Sequence, residues 1–459
     1  MEFTSIFYSI AAFVLAIGIL VTIHEFGHFW VAQKLGVKVL RFSVGFGKPL
    51  WLKKAGIDQT EYVIAAIPLG GFVKMLDERE GDVKPDELHR AFNRQNVWKR
   101  FAIVAAGPLF NFLFAIFVYT LIYLNGVSGL RPIIGEVANP SVAWSAGIQA
   151  EDVIVSVNGK QTVSWEKARF QLLQASIDDS LIRIEVQSRN LVIEQKVLDV
   201  SSLALLQEEQ TDLIKELGLS VWRPDIAPLI DEVIEGGAAE AAGMKADDLI
   251  ISLNDVPIDN VQQWVTIIRS NAGVSIPLVV LRDGQQSFLT ITPAIKQQDG
   301  ETFGYIGVKN VIEIPEEVRQ KMQVTEQYGL LGSFSEAVDK TWNMSVLTLK
   351  VLGKLIVGEA SVKNLSGPIT IARYAGITAQ IGLGQFLSFL AVISISLGVL
   401  NLLPVPVLDG GHLFFYLIEI IKGSPVSEAT EIIGQKIGVV LLVMLMTLAM
   451  VNDVMRLVG

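Results

Sequence analysis

Ser5-Ile6-Phe7-Tyr8-Ser9-Ile10-Ala11-Ala12-Phe13-Val14-Leu15-Ala16-Ile17-Gly18-Ile19-Leu20-Val21-Thr22-Ile23 is nineteen residues without a charge, and His24-Glu25-Phe26-Gly27-His28 follows at once. As a helix, Ser5 to His24 climbs about 29 Å, close to a full hydrocarbon core. His24 and His28 are four apart, so they share a helix face and can hold one metal ion. Glu25 is offset from both and placed to take a proton from an attacking water. An ionisable residue at the bilayer centre costs about 2.5–3.5 kcal/mol, so such residues usually have partners and a task. A hydrolytic metal site here implies scission of peptide bonds inside or at the edge of a bilayer.

The rest of the chain fits a membrane setting. Its 459 residues suggest about three domains, and 51% hydrophobic against 18% charged residues departs from a soluble average. The apolar residues gather in four runs: Ser5–Ile23, Phe101–Asn125, Leu383–Leu403 and Ile437–Asn452, the last short unless Ile432–Gln435 join it. The net charge of −10 argues against a nucleic-acid partner, and zero cysteines exclude disulfides and thiolate ligands. The start of the chain lacks a positive n-region, so no cleaved signal peptide is expected. Thirteen Lys and Arg lie between Lys34 and Arg100. By the positive-inside rule that segment is cytoplasmic, both termini and the long middle region lie outside, and the metal motif sits in the cytoplasmic leaflet.

The middle region repeats itself. Ser145-Ala146-Gly147-Ile148-Gln149-Ala150-Glu151-Asp152-Val153-Ile154 reads like Ala241-Ala242-Gly243-Met244-Lys245-Ala246-Asp247-Asp248-Leu249-Ile250 at an offset of 96 residues. That period is one small domain per copy. The glycine turn, Asp-apolar-Ile, apolar strand and Asn turn resemble PDZ domains. In such domains apolar-Gly-apolar turns capture peptide C-termini, which makes Gly218 and Gly307 weak candidates for ligand turns. Tyr328–Val357 reads as an amphipathic surface helix, and Val83–Arg100 as a basic interfacial helix that could touch anionic lipid. The expected divisions are 1–125, 126–222, 223–311, 312–372 and 373–459.

Two histidines do not complete a catalytic zinc site, which takes about three protein ligands and an open position. The position six residues after His28 is Lys34, so the extended zincin pattern fails. The better candidate is distant. The third run ends in Asn401-Leu402-Leu403-Pro404-Val405-Pro406-Val407-Leu408-Asp409-Gly410-Gly411-His412, and Asp409 is the first charge after Arg373. Pro404 and Pro406 break the helix and turn the carboxylate inward. A fourth ligand at His412 would close the site to water, so a structural role is expected there.

His24–His28 together with Asn401–Gly410 resembles the site-2 protease family of intramembrane zinc proteases, and the likeness extends over essentially the whole chain. Gly45-Phe46-Gly47, Pro68-Leu69-Gly70-Gly71-Phe72 and Asn364-Leu365-Ser366-Gly367-Pro368-Ile369 also look like family segments. The resemblance implies one zinc per chain held by His24, His28 and Asp409, with Glu25 as general base and then acid. It implies that Asn401 positions substrate or steadies the oxyanion, and that Pro404 and Pro406 shape the broken helix. It implies a polytopic α-helical membrane protein with four transmembrane helices, two extracytoplasmic PDZ domains and a membrane-associated β-loop. That loop, with Gly45, Phe46, Gly47, Gly70 and Gly71, would pair with substrate. Alternation around glycines in Val37–Val44 and Tyr62–Met75 independently predicts β structure.

By the same resemblance, the substrates are single-span membrane proteins: an anti-sigma-factor stub left by an earlier outside cut, in an envelope stress response, and remnant signal peptides. The setting is a bacterial inner membrane, with the PDZ units periplasmic and filtering substrates by size. Three rivals are weaker. Gly126-Val127-Ser128-Gly129 resembles a rhomboid serine motif but falls in a loop without an obvious partner histidine. A transporter would be expected to show duplicated halves. A non-catalytic PDZ-bearing receptor or scaffold leaves both zinc motifs unexplained.

Overall fold

The computed structural model describes residues 3–203, 212–298, 301–310 and 314–458. The expected boundary at 311/312 lies outside these residues. The elements that place the site are α1 (Phe3–Lys34), β1 (Val39–Ala55), β2 (Thr60–Met75), α2 (Val97–Asn125), α3 (Leu330–Ile356), α4 (Pro368–Ile381), α5 (Leu383–Leu402), α6 (Asp409–Lys422) and α7 (Glu428–Val458). Among the described residues four helices are long and apolar enough to cross a membrane: α1, α2, α5 and α7. α1 runs unbroken from its apolar run through the histidine motif to Lys34. α7 begins well before the expected Ile437, because Glu428, Glu431 and Lys436 sit on its first turns rather than in a loop.

Small residues set the packing. α1 meets α4 and α5 through Ala12, Ala16 and Leu20 against Ala375, Phe386 and Leu390. α2 meets α3 and α5 through Ala115 and Tyr119 against Ala337, Ala391 and Ile395. Glycines mark the tightest crossings. A methyl group on Gly27 of α1 would lie 2.5 Å from the Ala106 carbonyl oxygen of α2, one on Gly376 would lie 2.1 Å from Ser9 Oγ, and one on Gly398 would lie 2.9 Å from Phe112. Between helices in lipid, close backbone approach stands in for a hydrophobic driving force. Asp453 of α7 caps α4 from outside, accepting from the backbone N–H of Gly367, Ile369 and Thr370 at 2.8–3.1 Å.

β1 and β2 do not form a simple hairpin. Residues 41–44 of β1 pair with 61–64 of β2 on one side and with 71–74 on the other, and 51–54 pair with 61–64 again. The result is a four-ribbon sheet in the order 71–75, 39–44, 60–65, 49–55, with 71–75 and 49–55 at its edges. Gly45 and Gly47 take positive φ where β1 bends, and Gly70 does so before the 71–75 ribbon.

The region expected as an interfacial helix, Val83–Arg100, is instead two short 3-10 turns, Leu88–Arg90 and Phe92–Arg94, with helix only from Val97. Its charges are used internally. Arg90 forms two 2.6 Å bonds to Asp58, Arg94 pairs with Glu78 at 2.7 Å, and Phe92 packs against the Phe29 and Ile103 cluster. Asn96 then caps α2, accepting from the Trp98 N–H at 2.8 Å.

The two middle units have matching topology. In the first, strands are ordered Lys160–Gln161, Val153–Val157, Leu181–Gln187, Ile193–Asp199 beside helix Trp165–Asp178. In the second the order is Val256–Pro257, Leu249–Leu253, Ile276–Arg282, Gln285–Ile291 beside helix Val261–Ser270. Each has its own core, around Ile154 and Leu172 in one and Ile250 and Trp264 in the other. The repeated aspartate has one structural task in both: Asp152 accepts from the Gln149 N–H at 2.9 Å, and Asp248 from the Lys245 N–H at 2.8 Å. Lysines fasten the first unit to the helix that follows the second. Lys167 pairs with Glu336 of α3 at 2.6 Å and with Glu326 at 2.8 Å, while Lys340 and Lys350 of α3 reach Glu166 and Asp178. Burial lowers the Lys167 pKa, but its bonds to Glu326 and Glu336 more than reverse this, so the ammonium stays charged. α3 is amphipathic as expected, with Leu331, Phe334, Trp342 and Ile356 exposed.

Candidate metal centre

His24 and His28 lie on the side of α1 that faces α2 and α6. Their Nε2 atoms are 3.2 Å apart. Asp409, the first residue of α6, brings Oδ2 to 3.1 Å from His24 Nε2 and 3.4 Å from His28 Nε2. Among the described residues these three form the one group of its kind that could hold a metal ion. The donor set fits a zinc ion. Asp409 Oδ2 is buried and has no hydrogen-bond partner among the described residues. Lone pairs crowded on one point repel unless a proton or a metal cation sits among them, and one metal ion can satisfy all three donors at once. A tetrahedral ion about 2.0–2.1 Å from each donor would space them by about 3.3 Å.

The loop before Asp409 explains why two glycines follow it. Residues Leu403–Leu408 fold back over the start of α6. A methyl group on Gly410 would lie 2.1 Å from the Leu403 carbonyl oxygen, and one on Gly411 would lie 2.4 Å from Pro406 Cα. Only bare backbone lets the loop carry the carboxylate toward α1. As the first residue of α6, Asp409 also sits at the positive end of that helix's dipole, which favours its negative charge.

Glu25 shares a cavity of about 560 Å³ with the three donors. On one wall is the 71–75 ribbon: the Val73 N–H faces the Glu25 carboxylate, and a methyl group on Gly71 would lie 3.2 Å from Glu25 Cγ. Gly71 therefore permits the contact between sheet edge and acid. Gly70 leaves room for Phe46, whose ring stacks with Phe72 at a centroid distance of 6.3 Å. Part of the cavity lining is charged, with Asp77, Arg79, Glu80, Arg100 and Glu431, and Arg79 approaches Glu431 at 3.6 Å. His412 lines the cavity, outside the donor group. Asn401 is on the last turn of α5, and Pro404 and Pro406 are in the following loop. None of these three lines the cavity.

The candidate peptide turns lie far along the chain from this centre. Gly218 and Gly307 both take positive φ. Their carbonyls accept from Ala138 and Ile234 within their own units at 2.8 Å.

Two residues of α2 complete the setting, and sequence reasoning passed over both. Gly107 faces the imidazoles so closely that a methyl group there would lie 2.3 Å from His28 Nε2 and 2.8 Å from His24 Cε1. Asn111, one turn on and fully buried, places its amide nitrogen 3.2 Å from His24 Nδ1. Gly-Pro-x-x-Asn inside an uncharged run was the available signal.

A family model described as Peptidase family M50 matches residues 12–445. The chain is 44% identical over 457 residues to the Regulator of sigma-E protease RseP of Escherichia coli strain K12, covering 99% of this chain and 100% of that one. It is 44% identical over 458 residues to Protease RseP of Yersinia pestis, with the same coverage. A Vibrio cholerae relative whose name carries "zinc metalloprotease" is 42% identical over 457 residues, again with 99% and 100% covered. The chain therefore belongs to peptidase family M50, the site-2 protease family. It is a multi-pass membrane zinc metalloprotease.

Proposed function

We propose that the chain is an intramembrane endopeptidase that cuts single-span membrane proteins near the cytoplasmic face of a bacterial inner membrane. The observation that carries this is the convergence of His24, His28 and Asp409 beside Glu25 at one end of a membrane-length helix. In this reading the three donors hold zinc. Zinc supplies Lewis-acid polarisation of the scissile carbonyl and makes the attacking water more acidic. Glu25 takes the water proton and returns it to the leaving nitrogen. Asn401 positions substrate or the oxyanion, and Pro404 and Pro406 shape the loop that presents Asp409.

A transmembrane helix hides its carbonyls in internal bonds, so it must unwind before attack. The free edge of the 71–75 ribbon, next to Glu25, is where an unwound segment would add as a further strand. Gly45, Phe46, Gly47, Gly70 and Gly71 shape that sheet. The positive segment between α1 and α2 supports a cytoplasmic side for the charged end of the cavity and a periplasmic side for the two middle units.

The name of the Escherichia coli relative supports a role in sigma-E regulation. The substrate would be an anti-sigma-factor stub already cut outside, with remnant signal peptides as further candidates. In a bilayer cleavage assay with a single-span model substrate, Asp409→Ala should lose activity and bound zinc together. Wild-type zinc content in that variant would remove the site. The two middle units, with matched topology, are proposed as PDZ domains that filter substrates by size, with Gly218 and Gly307 as possible turns for peptide ends. Deleting 126–311 should admit uncut substrates. Continued resistance of uncut substrates would end the filter idea.

A further inference from the structure

We propose that Asn111 is a positioning residue for the metal site: its side-chain carbonyl accepts the Nδ1 proton of His24 and so turns the Nε2 lone pair toward the shared ion. The inference rests on His24 acting as a zinc ligand.

The two imidazoles have the same need. An imidazole that ligates through Nε2 must carry its proton on Nδ1, and that proton needs an acceptor. For His28 the acceptor is present: Nδ1 lies 2.9 Å from the Ile103 carbonyl oxygen of α2, a group that can only accept. Pro108 adjoins this stretch of α2. Lacking an N–H, it leaves the Val104 carbonyl without its usual helical donor and loosens the turn facing His28.

For His24 the group opposite Nδ1 is the Asn111 side chain. As placed, the amide nitrogen faces Nδ1 at 3.2 Å, and the amide oxygen is buried without a partner among the described residues. An amide nitrogen only donates. That orientation therefore puts the His24 proton on Nε2, at the point where an ion would sit. Turning the amide by half a revolution keeps its shape and exchanges the two atoms. The orphaned oxygen then meets an Nδ1 proton, and Nε2 is free to ligate. Each amide orientation matches one tautomer of His24, and only the turned one leaves Nε2 free to ligate.

The backbone of Asn111 is held for this task. Ser394 of α5 donates to its carbonyl oxygen at 2.9 Å, tying the residue to the helix that leads into the Asp409 loop. Gly107, one turn earlier on the same face, clears the space into which both rings project. A packing role alone would be filled by any side chain of similar volume; holding a tautomer requires an acceptor.

The test is zinc competition with a chromophoric chelator on the intact protein in detergent or nanodiscs, comparing wild type, Asn111→Asp, Asn111→Leu and Asp409→Ala. Asp accepts but cannot donate, whereas Leu keeps the volume and does neither. Asn111→Leu should weaken zinc about 10–100-fold, and Asn111→Asp should hold it at least within a few-fold of wild type. The reverse order, with Leu tight and Asp weak, is what packing predicts and overturns the proposal. If Asp409→Ala loses zinc while Asn111→Leu does not, the positioning role fails and the site stands. If Asp409→Ala binds as wild type does, the site itself fails. Should a variant not fold, wild-type protein with ¹⁵N-histidine still decides: in the zinc-loaded form the His24 Nδ1 proton should show hydrogen-bond coupling to the Asn111 side-chain carbonyl, and a protonated Nε2 at His24, or an Nδ1 proton without that coupling, refutes the proposal.

Discussion

Glu25→Gln is expected to abolish cleavage while leaving zinc in place. The substitution keeps shape and volume but removes the charge and with it the ability to take a proton. General acid–base catalysis contributes about 10²–10⁴-fold, and Glu25 is proposed for both halves of the reaction, so the upper end of that range applies. The separation of effects follows from geometry. The three donors that can share an ion are His24, His28 and Asp409. Glu25 projects from the next helical position into the same cavity, against the 71–75 ribbon. Single-turnover cleavage in liposomes, with zinc content measured on the same sample, reads both quantities. Undiminished cleavage would show that another group takes the water proton and would remove Glu25 from the proposed mechanism.

Gly107→Ala should cost as much by another route. Alanine is favoured over glycine inside a helix by roughly 0.5–1 kcal/mol, so intrinsic propensity predicts a gain in stability. The space predicts the opposite. The added carbon would lie 2.3 Å from His28 Nε2 and 2.5 Å from His28 Cε1. His28 cannot retreat without giving up Ile103 or its place opposite Asp409. The expected result is zinc binding weakened by about 100-fold or more, beyond the usual cost of losing an outer hydrogen bond, with helical content retained. Gly18→Ala on α1 is the control, since a methyl group there meets nothing within 4 Å. Equal zinc affinity in the two variants would show that the rings have more freedom than these distances allow.

Much of this centre was legible from residue order, and the exceptions have physical causes. His24, Glu25 and His28 are visible because charge in an apolar helix is costly. Asp409 is visible because it ends a long uncharged run behind two prolines. Gly107 and Asn111 were not, because a glycine and an amide inside an apolar helix are common and residue order does not reveal which face meets α1. Ser394 was hidden for the same reason. The β prediction located the segment but not its doubling back, since register depends on bulges and on glycine turns at 45, 47 and 70. Val83–Arg100 departs from the expected helix because its arginines answer Asp58 and Glu78, partners that local periodicity does not report. The start of α7 at Glu428 is hidden in the sequence, because charges on its first turns resemble the end of an apolar run.

The glycine crossings at 27, 376 and 398 carry a lesson about how this bundle can vary. Each is a place where two helices touch with no room for even one more carbon. The outward residues of α7, such as Val440, Val443 and Met444, are open on their far side. A saturation scan should therefore divide the spans sharply, with α7 absorbing many apolar exchanges and the three crossings admitting almost none. Any drift in the thickness of the host bilayer would be met by the outer surface, while the spacing of the inner helices stays as it is.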